Sequence, residues 1–267
     1  GQLIHQCTDH FSVYLKMQVP EGKKIYFLSD FHLGVPDQQT SLSREKRIVA
    51  FLDAIKEDAC MVFVLGDLFD FWFEYRKVVP KGYVRILGKL AELTDKGIAV
   101  HFFVGNHDMW MSGYFESELN IPVYFQERAY EFNGKKFIIG HGDGLGPGDQ
   151  GYKLLKTVFR NPFCQFLFGL IPPAVGISIA EYFSRKSRIA TGNTEDHFLG
   201  EDKEWLIQYC KSVLAKDQVD FFIFGHRHLP IDVELNTTSR YINLGDWVKY
   251  DSYAVFDGDQ MVLKYHS

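Results

Sequence analysis

Cysteine is scarce in this chain and scattered. The four residues, Cys7, Cys60, Cys164 and Cys210, form no CxxC pair and no tight cluster. That pattern argues against a zinc knuckle or a disulfide framework, so a reducing compartment is expected. Positive charge is not in excess either. The formal net charge is −5, which gives no basic footprint for a nucleic-acid partner, and none is expected. No apolar run follows a basic start, so no signal peptide is expected. A long uninterrupted apolar stretch is also missing. The longest one, Phe163 to Ala180, carries Gln165 and is broken by Pro172 and Pro173. A membrane-spanning helix needs about 20 largely apolar residues in a row. This stretch reads instead as a helical hairpin packed on an apolar surface.

What is present is enough apolar material for one large domain. The chain has 267 residues, 46% hydrophobic and 16% aromatic, which suffices for a full buried core. Short runs rich in Ile, Val and Phe read as buried strands: Lys24–Leu28, Met61–Leu65, Ala99–Val104, Lys136–Ile139 and Asp220–Phe224. A further pair, Arg240–Leu244 and Tyr253–Phe256, is expected to extend a sheet near the C-terminus. Amphipathic helices are expected at Ser43–Lys56, Lys81–Lys96 (with Gly97 as its C-cap) and Asp202–Lys216. Alternating strands and helices imply an α/β fold with helices on both faces of a sheet. Residues 149–200 break the rhythm, with no strand signal and a helical look. They are read as a helical cap inserted between a first core part, 1–148, and a second, 201–267.

Each clear strand is followed at once by residues able to bind metal. The five strand ends supply Ser29-Asp30-Phe31-His32, Gly66-Asp67, Gly105-Asn106-His107-Asp108, Gly140-His141 and Gly225-His226-Arg227-His228. In open α/β sheets ligands collect at the carboxyl ends of strands. Two divalent ions about 3.5–4 Å apart can clamp a phosphate and activate water. Such a pair needs a carboxylate able to bridge, and Asp67 is the candidate. Mixed His, Asp and Asn donors suit Mn, Fe or Zn better than Ca. Taken singly, DxH or HxH is more often packing or surface histidine, and Gly-Asp after a strand is more often a turn. Five such elements at five strand ends rarely arise by chance. His5, His10, His101, His197 and His266 lack this context and are left as surface or packing residues.

The ordered motifs read DFH, GDLFD, GNHD, GH and GHRH. Together they resemble the calcineurin-like metallophosphoesterase superfamily, over roughly Lys24 to Trp247. The resemblance implies a β-sandwich flanked by helices and a dinuclear enzyme. It assigns Asp30, His32, Asp67 and His228 to one metal, and Asp67, Asn106, His141 and His226 to the other. It also makes His107 a phosphate-binding or acid–base group, with Asp70 accepting its hydrogen bond. Apart from the resemblance, Asp70 reads equally as a solvated turn residue. The cofactors implied are two divalent ions, Mn foremost, with Fe, Zn or Mg as alternatives.

The segment after His141 runs HGDGLGPGD, then Tyr152, Arg160-Asn161-Pro162, Gln165 to Phe168, Pro172, Ile179-Ala180 and Ser184 to Arg188. It is similar to the UDP-2,3-diacylglucosamine pyrophosphohydrolases of lipid A biosynthesis. That family cleaves a lipid-linked nucleotide to UMP and 2,3-diacylglucosamine 1-phosphate. The resemblance makes Asp149, Tyr152, Lys186 and Arg188 substrate contacts, with Asn106 beside them. It implies a peripheral protein on the cytoplasmic face of a Gram-negative inner membrane. Proteobacterial members carry Arg where this chain has His107, which bears on how the leaving group is handled. A dense apolar set flanked by Lys153, Lys156, Arg160, Arg185, Lys186 and Arg188 suits acyl chains below a phosphorylated head group and an anionic membrane surface. The bland alternative is a helical hairpin covering its own core. The rival functions are another metallophosphoesterase activity, on nucleotide or phospholipid esters, and a non-catalytic scaffold.

Overall fold

Runs such as IYFL and VFVL carry no charged or strongly polar side chain because both of their faces are covered. The computed structural model describes residues 13–148, 150–191 and 197–266; the side chains of residues 150, 151, 185 and 187–191 lie outside that description. Elements are numbered in chain order. One six-stranded sheet runs β12 (Met261–Tyr265), β11 (Ser252–Phe256), β2 (Lys24–Leu28), β3 (Ala59–Leu65), β4 (Ala99–Phe103), β5 (Val123–Tyr124). The other runs β1 (Leu15–Met17), β6 (Arg128–Phe132), β7 (Lys135–Ile139), β8 (Phe221–Phe224), β10 (Arg240–Leu244), β9 (Pro230–Glu234). Pairing is parallel from β2 through β5 and from β7 through β8 to β10, and antiparallel at β6–β7, β9–β10, β11–β12 and β11–β2.

Period-two alternation sorts side chains between the sandwich interior and the helices. Ile25, Phe27, Phe63, Leu65 and Phe103 meet Phe132, Phe137, Ile139, Phe221 and Ile223 between the sheets. Phe27 stacks on Phe63 at 5.2 Å and on Phe137 across the gap at 6.4 Å. The opposite residues of the first sheet, Tyr26, Leu28, Val62 and Val64, pack on α1 (Gln38–Ile55) and α2 (Val84–Asp95). Phe222 and Phe224 of the second sheet pack on α7 (Trp205–Leu214). The remaining helices are α3 (Tyr114–Leu119), α4 (Gln150–Phe159), α5 (Pro162–Gly169) and α6 (Pro173–Thr191). No helix among the described residues is long and apolar enough to cross a membrane.

The α/β sandwich flanked by helices that the resemblance implies is the fold observed, and the single sheet suggested by strand–helix alternation alone gives way to two mixed sheets. Helices α2 and α7 each start three residues later than the sequence expectation, and two further details differ. The C-terminal pair does not extend a single sheet: β10 joins β8 and β9, whereas β11 joins β2 and β12. Helix α1 starts five residues early, because Asp37 caps it by accepting the Thr40 N–H at 2.9 Å.

His101 of β4 lies in the sandwich, its ring stacked on Phe63 at 4.9 Å and its Nδ1 3.1 Å from the Tyr124 hydroxyl. Burial pushes its pKa down to about 4, so the folded chain holds it neutral while the unfolded chain protonates it near the usual 6.5. Its contribution is therefore complete above the unfolded value and is lost as pH falls from there toward 4. Denaturant titrations should show wild type losing about 2 kcal/mol more than His101→Phe between pH 7 and pH 5. Equal losses would mean that this imidazole is not the proton acceptor.

Candidate metal centre

The strand ends converge at one edge of the sandwich. β2, β3 and β4 of one sheet deliver Asp30 and His32, Asp67, and Asn106 and His107. β7 and β8 of the other deliver His141, and His226 and His228. Asp30, His32, Asp67 and His228 offer donor atoms all within 4.8 Å of one another. His228 Nε2 is 3.2 Å from Asp30 Oδ1, and His32 Nε2 is 3.6 Å from the same oxygen and 3.8 Å from Asp67 Oδ2. A second group gathers on the other side of Asp67. His141 Nε2 lies 3.4 Å from Asp67 Oδ2 and 3.1 Å from Asn106 Oδ1, and His226 Nδ1 lies 3.0 Å from Asn106 Oδ1.

These residues fit a pair of cations. Asp30 Oδ1 and Asp67 Oδ2 are buried and accept no hydrogen bond among the described residues. Orphaned buried carboxylate oxygens are costly without a partner. His32 and His228 bring their Nε2 atoms to 3.0 Å from each other. Two ring nitrogens at that distance must share one proton or face a common cation. His141 Nδ1 is 2.6 Å from the Leu65 carbonyl. A carbonyl only accepts, so Nδ1 carries the hydrogen and Nε2 is left for the cluster.

The electrostatics follow from burial against mutual charge. Burial alone would raise both carboxylates. The His228 and His32 imidazoles facing Asp30 hold it well below the usual carboxylate range, and the charges of His141 and His107 do the same for Asp67. Burial would lower His141, but the Asp67 carboxylate outweighs it and pushes His141 up to about 10. His226 falls to about 4, through burial and then the charge of His141. Asp108 rises to about 7 through burial beside Asp67. It accepts from the Gly105 and Leu68 amides at 2.7 and 2.8 Å and so ties two of the ligand-bearing loops together.

The backbone is bent hard to achieve this. Asp30, His32, Asp67, His226 and His228 all have positive φ, between 46° and 70°. Left-handed conformations cost non-glycine residues roughly 1–3 kcal/mol each and gather at functional sites. Glycine is required where loops touch. A methyl group on Gly105 would overlap the Asp67 carboxylate, and one on Gly225 would overlap the Ser29 hydroxyl.

His107 stands at the edge of the cluster, its ring centroid 5.0 Å from that of His32. Its main-chain N–H donates to Asp67 Oδ1 at 2.8 Å. Its Nδ1 is 3.0 Å from the Asp70 carbonyl oxygen and 3.6 Å from Asp70 Oδ1. The orienting acceptor nearest His107 is thus the main chain of Asp70, and not the carboxylate that the sequence pointed to. That carboxylate is shared: Ser184 Oγ donates to its Oδ2 at 2.7 Å, and His32 Nδ1 lies 3.6 Å from its Oδ1.

With this geometry the similarities can be weighed. Residues 23–230 match the calcineurin-like phosphoesterase family. The chain belongs to that family. The UDP-2,3-diacylglucosamine hydrolase of Porphyromonas gingivalis is 42% identical over 254 residues, which cover 90% of this chain and 97% of that protein. The UDP-2,3-diacylglucosamine hydrolase of Yersinia pseudotuberculosis is 29% identical over 240 residues, covering 89% and 96%. Among solved structures, a dimetal phosphatase from Danio rerio aligns with a TM-score of 0.44 at 15% identity, covering 92% of this chain and 96% of that one.

In this calcineurin-like phosphoesterase, helices α4 to α6 stand beside the cluster. Tyr152 of α4 donates to Asp143 Oδ2 at 2.5 Å, and its ring lies 6.3 Å from that of His226. Lys156 pairs with the same carboxylate at 2.5 Å, Lys153 donates to the Gly146 carbonyl at 2.5 Å, and Arg160 donates to the Phe125 carbonyl at 2.6 Å. These three cations therefore fasten α4 to the core and do not form the outer basic rim expected from composition. Lys186 is exposed on α6. Asp149 and the side chain of Arg188 lie outside the described residues. Two participants carry no role in the sequence reading. Asp143 and Ser184 both lie in stretches that carry the resemblance, HGDGLGPGD and Ser184 to Arg188, but neither is assigned a contact.

Proposed function

We propose that this chain hydrolyses UDP-2,3-diacylglucosamine to UMP and 2,3-diacylglucosamine 1-phosphate. The observation that carries the reading is the meeting of the carboxylate–imidazole cluster with an apolar helical surface. Phe163 and Phe166 of α5 and Leu170 just after it are 62–66% exposed, and Tyr182 and Phe183 of α6 are 60% and 62% exposed. Phe168 anchors α5 to the core, 4.7 Å from Trp110 and 4.8 Å from Phe73. Exposed apolar surface on this scale marks a binding surface for an apolar partner. Acyl chains fit it, and the relatives with near full-length coverage carry this activity in their names.

Asp30, His32, Asp67 and His228 would hold one divalent cation, and Asp67, Asn106, His141 and His226 the other; the mixed N/O donor set suits Mn, Fe or Zn, and Mn is the ion proposed, with Mg a further alternative. When bound, such a pair supplies Lewis-acid polarisation of the phosphate and lowers the pKa of the attacking water. The remaining work falls to the protein. The Leu65 carbonyl fixes the His141 tautomer. The Asp70 carbonyl holds His107 by Nδ1, reserving Nε2 to steady or protonate the leaving oxygen. Asn106 contacts the phosphate beside the cluster, and Tyr152, Lys186, Asp149 and Arg188 contact the head group. Residues 149–200 act as a cap over a core formed by 1–148 and 201–267. The apolar face of α5 and α6 rests on the cytoplasmic surface of the inner membrane and draws the lipid from it.

The test is hydrolysis by metal-stripped protein in detergent micelles, with and without added Mn. Metal-dependent UMP release that vanishes when the acyl chains are removed is the expected result. Cleavage of a simple phenyl phosphodiester without action on the lipid would move the substrate to another ester while leaving the cluster's chemistry intact.

A further inference from the structure

Ser184 belongs to α6, yet its closest polar neighbours lie on two strand-end loops of the core. Its Oγ donates to Asp70 Oδ2 at 2.7 Å and sits 3.2 Å from His107 Nδ1. The Asp70 carbonyl is 3.0 Å from that same nitrogen. A carbonyl only accepts, so Nδ1 carries the hydrogen. The serine hydroxyl, its own proton given to Asp70, keeps lone pairs that accept from Nδ1 as well. His107 is thereby held from the loop and from the helix at once, with one tautomer favoured. Within α6, Val175, Ile179 and Phe183 are exposed apolar side chains, 41–62% accessible. An α-helix moves as a rigid element, so whatever engages those side chains also sets the place of Ser184.

We propose that Ser184 is a positioning residue that couples α6 to the His107–Asp70 pair, so that the helix meeting the acyl chains also orders the imidazole meeting the leaving oxygen. This rests on the lipid hydrolase reading above. The coupling gives the chain a reason to hydrolyse lipid-loaded substrate faster than a truncated one, through turnover as well as binding.

Steady-state kinetics in Mn-loaded protein decide it. Ser184→Ala is expected to lower kcat on UDP-2,3-diacylglucosamine about tenfold with KM within about twofold, the signature of an interaction expressed in the transition state. Ser184→Thr keeps the hydroxyl and is expected to recover at least about a third of wild-type kcat. In a His107→Ala background, Ser184→Ala should cost nothing further, because residues acting as one unit are not additive. A raised KM at unchanged kcat, or an undiminished Ser184→Ala effect in the His107→Ala background, would overturn the proposal. So would an unchanged kcat in Ser184→Ala. If Ser184→Ala melts early or loses Mn, the threonine variant decides: restored kcat supports the role, and a folded but slow variant overturns it. Should wild type ignore the lipid and cleave a phenyl phosphodiester, the substrate reading fails by itself. The same variants on that ester then judge Ser184 separately: a fall in kcat supports its hold on His107, and no fall overturns it.

Discussion

Asp67→Ala is expected to abolish turnover and lower metal content together. Asp67 is the residue shared by both donor groups, with its Oδ2 3.8 Å from His32 on one side and 3.4 Å from His141 on the other. Removing it leaves two incomplete sets. The lowering of a water's pKa by roughly nine units is lost with the cation pair, so hydrolysis should fall by at least about 10⁴-fold. Stability gives an independent readout. A ligand that binds only the folded state stabilises it, by about 4 kcal/mol at a thousand times its dissociation constant. Wild-type protein should therefore melt progressively higher as Mn is added, while Asp67→Ala should scarcely respond. Elemental analysis after gel filtration completes the test. A variant that keeps full activity would remove Asp67 from the chemistry altogether.

His107→Ala is expected to separate chemistry from metal binding. Its main-chain N–H, and not its side chain, reaches Asp67 at 2.8 Å, so the substitution leaves that contact in place. Metal content should match wild type while kcat falls by roughly 10²–10⁴, the usual range for a lost acid–base group. His107→Arg sharpens the result. Arginine stays protonated, so it can balance negative charge on the leaving oxygen but cannot deliver a proton. Turnover equal to wild type in the arginine variant would mean that charge balance is sufficient. Turnover between alanine and wild type would mean that proton delivery matters too.

The parts of the fold legible in the sequence are those buried on both faces. The IYFL, VFVL and FFIF stretches of KIYFL, MVFVL and DFFIF lie in sheet interiors, covered by a helix on one face and by the opposite sheet on the other. All four edge strands, β1, β5, β9 and β12, went unread. They are short or carry charge on an open face, as in PIDVE and MVLKY, and a chain manages its sheet edges in just that way. Strand β6, RAYEF, was missed for the same half-polar pattern. Which sheet β10 and β11 would join was not legible either, since pairing partners lie far away in the chain. The donor residues were readable because each follows a recognisable strand at a fixed offset. The contact of Ser184 with Asp70 spans 114 positions, and no local pattern foretells it.

The left-handed backbone at Asp30, His32, Asp67, His226 and His228 carries a consequence for anyone selecting hardier variants. Glycine adopts that conformation freely, and relief at each position is worth up to roughly 1 kcal/mol. Exchanging the two carboxylates would also remove buried charge. A heat-survival screen run without divalent metal and blind to hydrolysis would therefore accumulate glycine at these five positions and enrich inert protein. Without metal the ligand residues persist only under selection for turnover, and their strain sets a ceiling on how robust the metal-free form of an active chain can become.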